Sequence, residues 1–205
     1  MDNSIVYIVE DDQAVADALC CLFASVKLPC QHFANAQCFL TYYHSNININ
    51  GCLLLDVRMP NISGFDLQAQ LKQRSCQLPI IFITGHGDIA MAVRAMKAGA
   101  YDFITKPFNN QLLLEQVQRA INLTNQRNVN EHFKKNLTTL TSREQQILTL
   151  VISGKTSKEI AQELAITLST VEMHRSKLMK KMQAKTIAEL LKNYFLSKLS
   201  LGNSI

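Results

Sequence analysis

Residues 4–123 alternate short apolar, β-branched runs with segments whose apolar residues recur at helical spacing, and this alternation leaves few folds open. Ser4–Val9, Cys30–Phe33, Cys52–Leu55, Pro79–Thr84 and Tyr101–Thr105 have strand length and strand composition. The run Cys52-Leu53-Leu54-Leu55 is apolar throughout, as in a strand covered on both faces. Between the strands, Gln13–Val26, Ala36–Tyr43, Gly64–Arg74, Ile89–Ala98 and Asn109–Leu123 read as helices. Gln13–Val26 carries Val15, Ala18, Leu19, Leu22 and Phe23 on one face. Five strands alternating with five helices predict an α/β doubly wound five-stranded parallel sheet.

From residue 137 onward the pattern is purely helical. Four Ser/Thr-x-x-Glu sequences, Thr141/Glu144, Thr156/Glu159, Ser169/Glu172 and Thr186/Glu189, predict four helix starts spaced by 13 to 17 residues. Such a box satisfies two backbone donors that an N-terminus otherwise leaves open. A compact all-α four-helix domain is therefore expected over 137–200, after a first domain over 4–121. The span 122–136 is polar, with little to bury, and reads as a linker that could extend the preceding helix.

Charge follows this division. Residues 1–124 sum to −2 and residues 125–205 to +7. An acidic half joined to a basic half suits one module for metal or phosphate and one for nucleic acid. No apolar run approaches the ~20 residues that span a bilayer. The opening Met1-Asp2-Asn3-Ser4 lacks the basic region of a signal peptide, so a cytoplasmic protein is expected. The six cysteines form no Cys-x-x-Cys pair and read as small buried apolar residues.

In an open parallel sheet, ligands collect at the carboxyl ends of the strands. There the sequence sets Glu10-Asp11-Asp12 after the first strand, Asp56 on the third, Thr84 on the fourth and Lys106 on the fifth. A carboxylate can take up a phosphoryl group, and that transfer needs charge neutralisation more than acid–base chemistry. Asp56 is the candidate nucleophile. Asp11 and Asp56 are candidate Mg²⁺ ligands, with Glu10 acting directly or through water. Lys106 would pair with phosphoryl oxygens and the Thr84 hydroxyl would donate to one. An aspartyl-nucleophile phosphatase is the enzymatic alternative, but Val57-Arg58 supplies no second acid two residues after Asp56.

Thr156–Glu163 and Ser169–Met182, joined by Leu164-Ala165-Ile166-Thr167-Leu168, have helix-turn-helix spacing. Ile160, Ala161, Leu164 and Ile166 should pack against Val171 and Leu178. The second helix is basic: His174, Arg175, Lys177, Lys180 and Lys181. Glu172, Met173 and Ser176 should face bases; Thr170, Arg175, Lys177 and Lys181 suit phosphates, with Arg175 also able to read guanine. His174 suits a phosphate or a packing role. The alternative is a helical domain that binds protein.

Two resemblances sharpen these expectations. Ile8-Val9-Glu10-Asp11-Asp12, Leu55-Asp56-Val57-Arg58-Met59-Pro60, Ser63-Gly64, Ile83-Thr84-Gly85 and Lys106-Pro107-Phe108 resemble a response-regulator receiver domain. The likeness implies that Asp56 takes phosphate from a sensor histidine kinase and that Arg58 offers the metal its backbone carbonyl. It further implies switch roles for Thr84 and Phe103, and a cis Lys106–Pro107 bond. Glu10 stands where many receivers carry Asp. Gly85-His86-Gly87-Asp88 and Gly99-Ala100-Tyr101-Asp102-Phe103 resemble the FixJ subgroup. Leu140-Thr141-Ser142-Arg143-Glu144, Gly154–Ala161 and Ser169–His174, continued by Lys181 and Met182, resemble the LuxR/NarL-type output domain. The joint resemblance implies a two-component transcription regulator, not an enzyme, that uses Mg²⁺ and binds promoter DNA. It also implies dimerisation on phosphorylation, with Thr186–Leu196 as a dimer surface, and RNA polymerase as a partner.

Overall fold

The computed structural model describes residues 4–46, 49–85 and 89–199. His86, Gly87 and Asp88 of the FixJ-like segment and Ser200 at the expected domain end lie outside the described residues. By chain contacts the protein divides into two compact units, one ending at Gln126 and the other beginning at Arg127.

The first unit is built on strands β1 (Ile5–Val9), β2 (Cys30–Phe33), β3 (Gly51–Asp56), β4 (Ile80–Thr84) and β5 (Asp102–Thr105). All neighbours pair in parallel, in the order β2-β1-β3-β4-β5. The order reverses between β1 and β3, which opens a crevice at their carboxyl ends. Helices α1 (Gln13–Ser25), α2 (Ala36–Ser45), α3 (Gly64–Gln73), α4 (Ile89–Lys97) and α5 (Asn110–Thr138) alternate with the strands.

The pleat sorts each strand's side chains between two cores. Val6 and Ile8 of β1 join Leu19 and Phe23 of α1 and Leu113, Val117, Ala120 and Ile121 of α5. Tyr7 and Val9 join Phe39 of α2, Leu67 and Leu71 of α3 and Ala95 of α4. Each fully buried Leu, Ile or Phe contributes ~1.5–3 kcal/mol, so these two layers hold the sheet. Every residue of β3 is buried, which explains its unbroken apolar run. The cysteine expectation needs correction. Cys52 is buried, but Cys21 and Cys38 are exposed and Cys20, Cys30 and Cys76 half-buried; all six are free.

In the second unit, α6 (Ser142–Ile152), α7 (Ser157–Glu163), α8 (Leu168–Lys181) and α9 (Ile187–Leu199) enclose Ile147, Ile160, Val171, Leu178 and Leu190. Thr141 and Thr156 form complete capping boxes with Glu144 and Glu159. The box expected at Ser169/Glu172 does not form. Thr167 caps α8 instead, its hydroxyl accepting from the Thr170 N–H, so the helix starts two residues earlier and Ser169 lies within it. At Thr186 half of the box forms: the Glu189 N–H donates to the Thr186 hydroxyl, and the Glu189 carboxylate accepts from the Lys185 N–H.

The span 122–136 is helical, being part of α5, and it is not free of anchors. Thr124 is buried, and its hydroxyl donates to the Gly51 carbonyl at 2.9 Å. Phe133 is 3 % exposed and belongs to the core of the second unit. One aromatic side chain in a polar stretch was enough to give that stretch something to bury. No helix among the described residues is long and apolar enough to cross a membrane.

Candidate functional site

The carboxyl rim of the sheet gathers the expected acids. Glu10 follows β1, Asp56 ends β3, and Asp11 lies beside them; one carboxylate oxygen from each falls within 4.8 Å of the others. Glu10 is 2 % exposed and Asp56 9 %, whereas Asp11 is exposed. Asp12, adjacent in sequence, is turned to another task. It caps α1, its carboxylate accepting from the Ala14 and Val15 N–H groups.

Lys106, just after β5, reaches into this cluster. Its ammonium donates to Glu10 Oε2 at 2.7 Å and to Asp56 Oδ2 at 3.3 Å. Burial alone would lower the Lys106 pKa, but hydrogen bonding to Glu10 and the Asp56 charge outweigh it and raise it. Burial pushes the Glu10 carboxyl up to about 7; the hydrogen bond from Lys106 opposes this and the Asp56 charge adds to it. The Arg58 N–H donates to Asp56 Oδ1 at 3.1 Å, holding the carboxylate from the other side, while the Arg58 side chain is exposed. Thr84 is 1 % exposed at the end of β4, and its carbonyl accepts from the Lys106 N–H at 2.7 Å. The Lys106–Pro107 bond is cis.

Gly64 has a steric reason to be glycine. A Cβ there would lie 2.2 Å from the Asp56 carbonyl oxygen and 3.0 Å from the Phe82 ring. The first turn of α3 therefore closes directly on Asp56. Phe103 is half-buried, with its ring centroid 6.2 Å from that of Phe82. An open cleft of about 610 Å³ adjoins Asp11 and Arg58, lined also by Met59, Phe65, Met91 and Arg94. Sequence reading overlooked two neighbours. His32 Nε2 hydrogen-bonds the Glu10 carbonyl at 2.8 Å, and the Arg94 guanidinium sits 4.5 Å from the Phe65 ring centroid. Neither carries a sequence signal, because each depends on side chains brought together from separate elements.

In the second unit, α7 and α8 are the helix-turn-helix pair. Ala161, Leu164 and Ile166 pack onto the core containing Val171 and Leu178. Ala165 takes a left-handed conformation in the turn, at φ 51°. Glu172, Met173, Ser176, Lys177 and Lys180 are exposed on α8; Thr170, His174, Arg175 and Lys181 are half-buried. Two of the basic residues are already engaged within the unit. Arg175 donates to the Ser157 hydroxyl at 2.8 Å, and Lys181 donates to Glu144 at 2.7 Å and to the Thr139 carbonyl at 3.2 Å.

An acidic, lysine-closed pocket at a parallel-sheet switch point, carried with a helix-turn-helix, defines a class of switchable DNA-binding regulators. Comparison with known proteins gives the family. The response regulator receiver domain matches residues 6–118, and the bacterial regulatory proteins of the luxR family match 138–192. The response regulator protein TodT of Pseudomonas putida is 46% identical over 193 residues, covering 92% of this chain and 84% of its own. The transcriptional regulatory protein FixJ of Rhizobium meliloti is 37% identical over 196 residues, covering 94% and 95%. Among solved structures, the response regulator StyR matches with TM-score 0.62 and 40% identity, covering 93% of this chain and 98% of its own. Full-length FixJ from B. japonicum matches with TM-score 0.58 and 33% identity, covering 97% and 99%. The chain belongs to the response-regulator family, in its NarL/FixJ branch: a receiver domain followed by a LuxR-type helix-turn-helix. It is a transcription regulator of the two-component kind, with a kinase partner and DNA binding implied by its two domains.

Proposed function

We propose that Asp56 is the phosphoacceptor and that α8 is the recognition helix. The observation that carries the first half is the convergence of Glu10, Asp11 and Asp56 with the Lys106 ammonium at one rim of the sheet. A carboxylate oxygen of Asp56 attacks the phosphorus of a phosphohistidine on a sensor kinase. The oxygen–phosphorus bond forms as the phosphorus–nitrogen bond breaks, and the electron pair leaves with the imidazole. Lys106 and the Thr84 hydroxyl neutralise charge on the equatorial oxygens, and the Arg58 N–H orients Asp56.

The donor set fits a hard, oxygen-seeking cation: three carboxylates, with oxygens within 4.8 Å, on an open cleft that leaves room for water and phosphate oxygens. Mg²⁺ would be held by Asp11, Asp56 and the Arg58 backbone carbonyl, with Glu10 direct or through water. When bound, it neutralises charge on the transferring group.

Thr84 and Phe103 act as the switch pair. Phosphorylation draws Thr84 inward and rotates Phe103, reshaping the surface of α4, β5 and α5, through which two copies dimerise. The exposed apolar side chains Ile89, Val93, Met96 and Leu112 on α4 and α5 support this. On DNA, Glu172, Met173 and Ser176 face base edges and Lys177 a phosphate, with Thr170, His174 and Arg175 at the backbone. A cytoplasmic regulator that contacts RNA polymerase and pairs its output domains through α9 completes the reading. The receiver is assigned to 4–121, the joining segment to 122–136 and the output domain to 137–200.

The test compares wild type with Asp56→Asn, each given Mg²⁺ and a phosphorylated kinase. Wild type should gain one phosphoryl group by mass, dimerise and bind its sites more tightly; Asp56→Asn should do none of these. Equal dimerisation and DNA binding by both proteins would remove Asp56 from the switch.

A further inference from the structure

Lys181 sits at the last position of α8 and Glu144 in the first turn of α6, and their side chains meet inside the second unit. A single oxygen, Glu144 Oε2, accepts from the Lys181 ammonium at 2.7 Å, the Thr141 N–H at 2.8 Å and the Thr141 hydroxyl at 2.9 Å. The Glu144 side chain is 3 % exposed. The Lys181 ammonium also donates to the Thr139 carbonyl at 3.2 Å. A carboxylate at the start of α6 and a cation at the end of α8 each complement a helix dipole. Charge-assisted hydrogen bonds to one buried oxygen fix geometry closely. Breaking the pair would strand Glu144 as an uncompensated buried charge.

The other basic residues of α8 differ. The side chains of Lys177 and Lys180 are exposed, and among the described residues no hydrogen bond or ion pair engages either ammonium. Arg175 is tied to Ser157 at the start of α7. The helix carrying Glu172, Met173, Ser176 and Lys177 is thus fastened at two points: Arg175 holds Ser157 at the start of α7, and Lys181 holds Glu144 of α6 and the Thr139 carbonyl.

We propose that Lys181 is a positioning residue for DNA recognition: its ammonium holds α8 against Glu144 and Thr139 and touches no phosphate. This rests on the reading of α8 as the recognition helix. A 1 Å or 10° error in the pose of a helix in the major groove displaces every base contact together, whereas loss of one phosphate contact removes one counterion from the binding equilibrium.

The two roles separate in a salt titration. Full-length protein is bound to a duplex enriched from a random-sequence pool on wild-type protein, followed by fluorescence anisotropy from about 50 to about 200 mM KCl, where a phosphate contact contributes ~−0.9 to the log–log slope. Lys181→Gln should weaken binding about tenfold at every salt concentration with an unchanged slope, and Lys181→Arg should retain most of the affinity. Lys177→Gln should make the slope shallower by ~0.9, which also shows that α8 meets the duplex. Glu144→Gln is the decisive arm. It removes a negative charge, so electrostatics alone predicts tighter binding, whereas the positioning role predicts the same loss as Lys181→Gln, and the double variant no further loss. Wild-type protein gives a second readout that needs no variant to fold. Acylation of lysines by an activated ester, read by mass spectrometry, should find Lys177 protected by the duplex and Lys181 slow to react with or without it. A shallower slope for Lys181→Gln, tighter or unchanged binding by Glu144→Gln, or protection of Lys181 by the duplex would overturn the proposal. Failure of Lys177→Gln to change the slope would instead count against α8 as the recognition helix.

Discussion

Glu10 is the residue at which site chemistry and stability conflict most directly. It is 2 % exposed, and burial with the Asp56 charge holds its carboxyl near 7, against an ordinary 4.5. Below pH ~4.5 it is protonated in both folded and unfolded chains and contributes nothing to the pH dependence. As pH rises from about 4.5 to about 7, the unfolded chain releases the proton first, so folding stability falls. Above 7 the loss is complete and amounts to ~3 kcal/mol by linkage, or ~2 kcal/mol if the Lys106 ion pair absorbs part of it. Glu10→Gln keeps the shape and an acceptor for Lys106 but removes the charge. In EDTA the variant should therefore be more stable than wild type by ~2–3 kcal/mol at pH 8, with the advantage fading to near zero at pH 4.5. The chain has no tryptophan, so urea unfolding is followed by far-UV circular dichroism on the receiver transition. Mg²⁺ at a hundredfold excess over its dissociation constant stabilises a binding-competent protein by ~2.7 kcal/mol. Its addition at pH 8 should favour wild type and narrow the gap. A pH-independent difference, or a variant less stable than wild type at pH 8, would refute the reasoning.

Three further substitutions test individual features. Gly64→Ala puts a Cβ 2.2 Å from the Asp56 carbonyl oxygen, so the receiver should lose ~1–3 kcal/mol in urea and take up phosphate more slowly. Thr167→Ala should cost the output domain ~1 kcal/mol and Ser169→Ala less than ~0.5 kcal/mol, because Thr167 is the cap of α8; the reverse order in thermal melts would restore Ser169 to that role. Ala165→Gly should raise output-domain stability by ~0.5–1 kcal/mol, since φ 51° strains an alanine more than a glycine; unchanged unfolding would mean the turn carries no strain.

Much of the fold was legible because its signals are local. The apolar run ending at Asp56 and the helical spacing in Gln13–Val26 each need only a few neighbouring residues to be read, and the structure has β3 and α1 there. The capping boxes at Thr141 and Thr156 were legible for the same reason, since cap and partner lie three residues apart. The Ser169 box failed because Thr167, two residues upstream, also offers a capping hydroxyl, and it is this hydroxyl that accepts from the Thr170 N–H. The polar span 122–136 was legible as a polar extension of the preceding helix, but its anchors Thr124 and Phe133 were not, because composition averages over a stretch.

By itself the sequence determined the alternation of strands and helices, the presence of Glu10, Asp11, Asp56, Thr84 and Lys106 at strand ends, and a basic helix in a second, all-helical half. These follow from periodicity and from the strand-to-ligand geometry of parallel sheets, both of which are short-range rules. Only the tertiary structure decided how the charges are shared. It gave Asp12 to the cap of α1, drew Lys106 closer to Glu10 than to Asp56, and spent the Lys181 ammonium on Glu144, 37 residues away in sequence. A lysine on a helix reads the same whether it faces water, phosphate or a buried carboxylate. The choice belongs to the partner's position in space, and no window of sequence contains it.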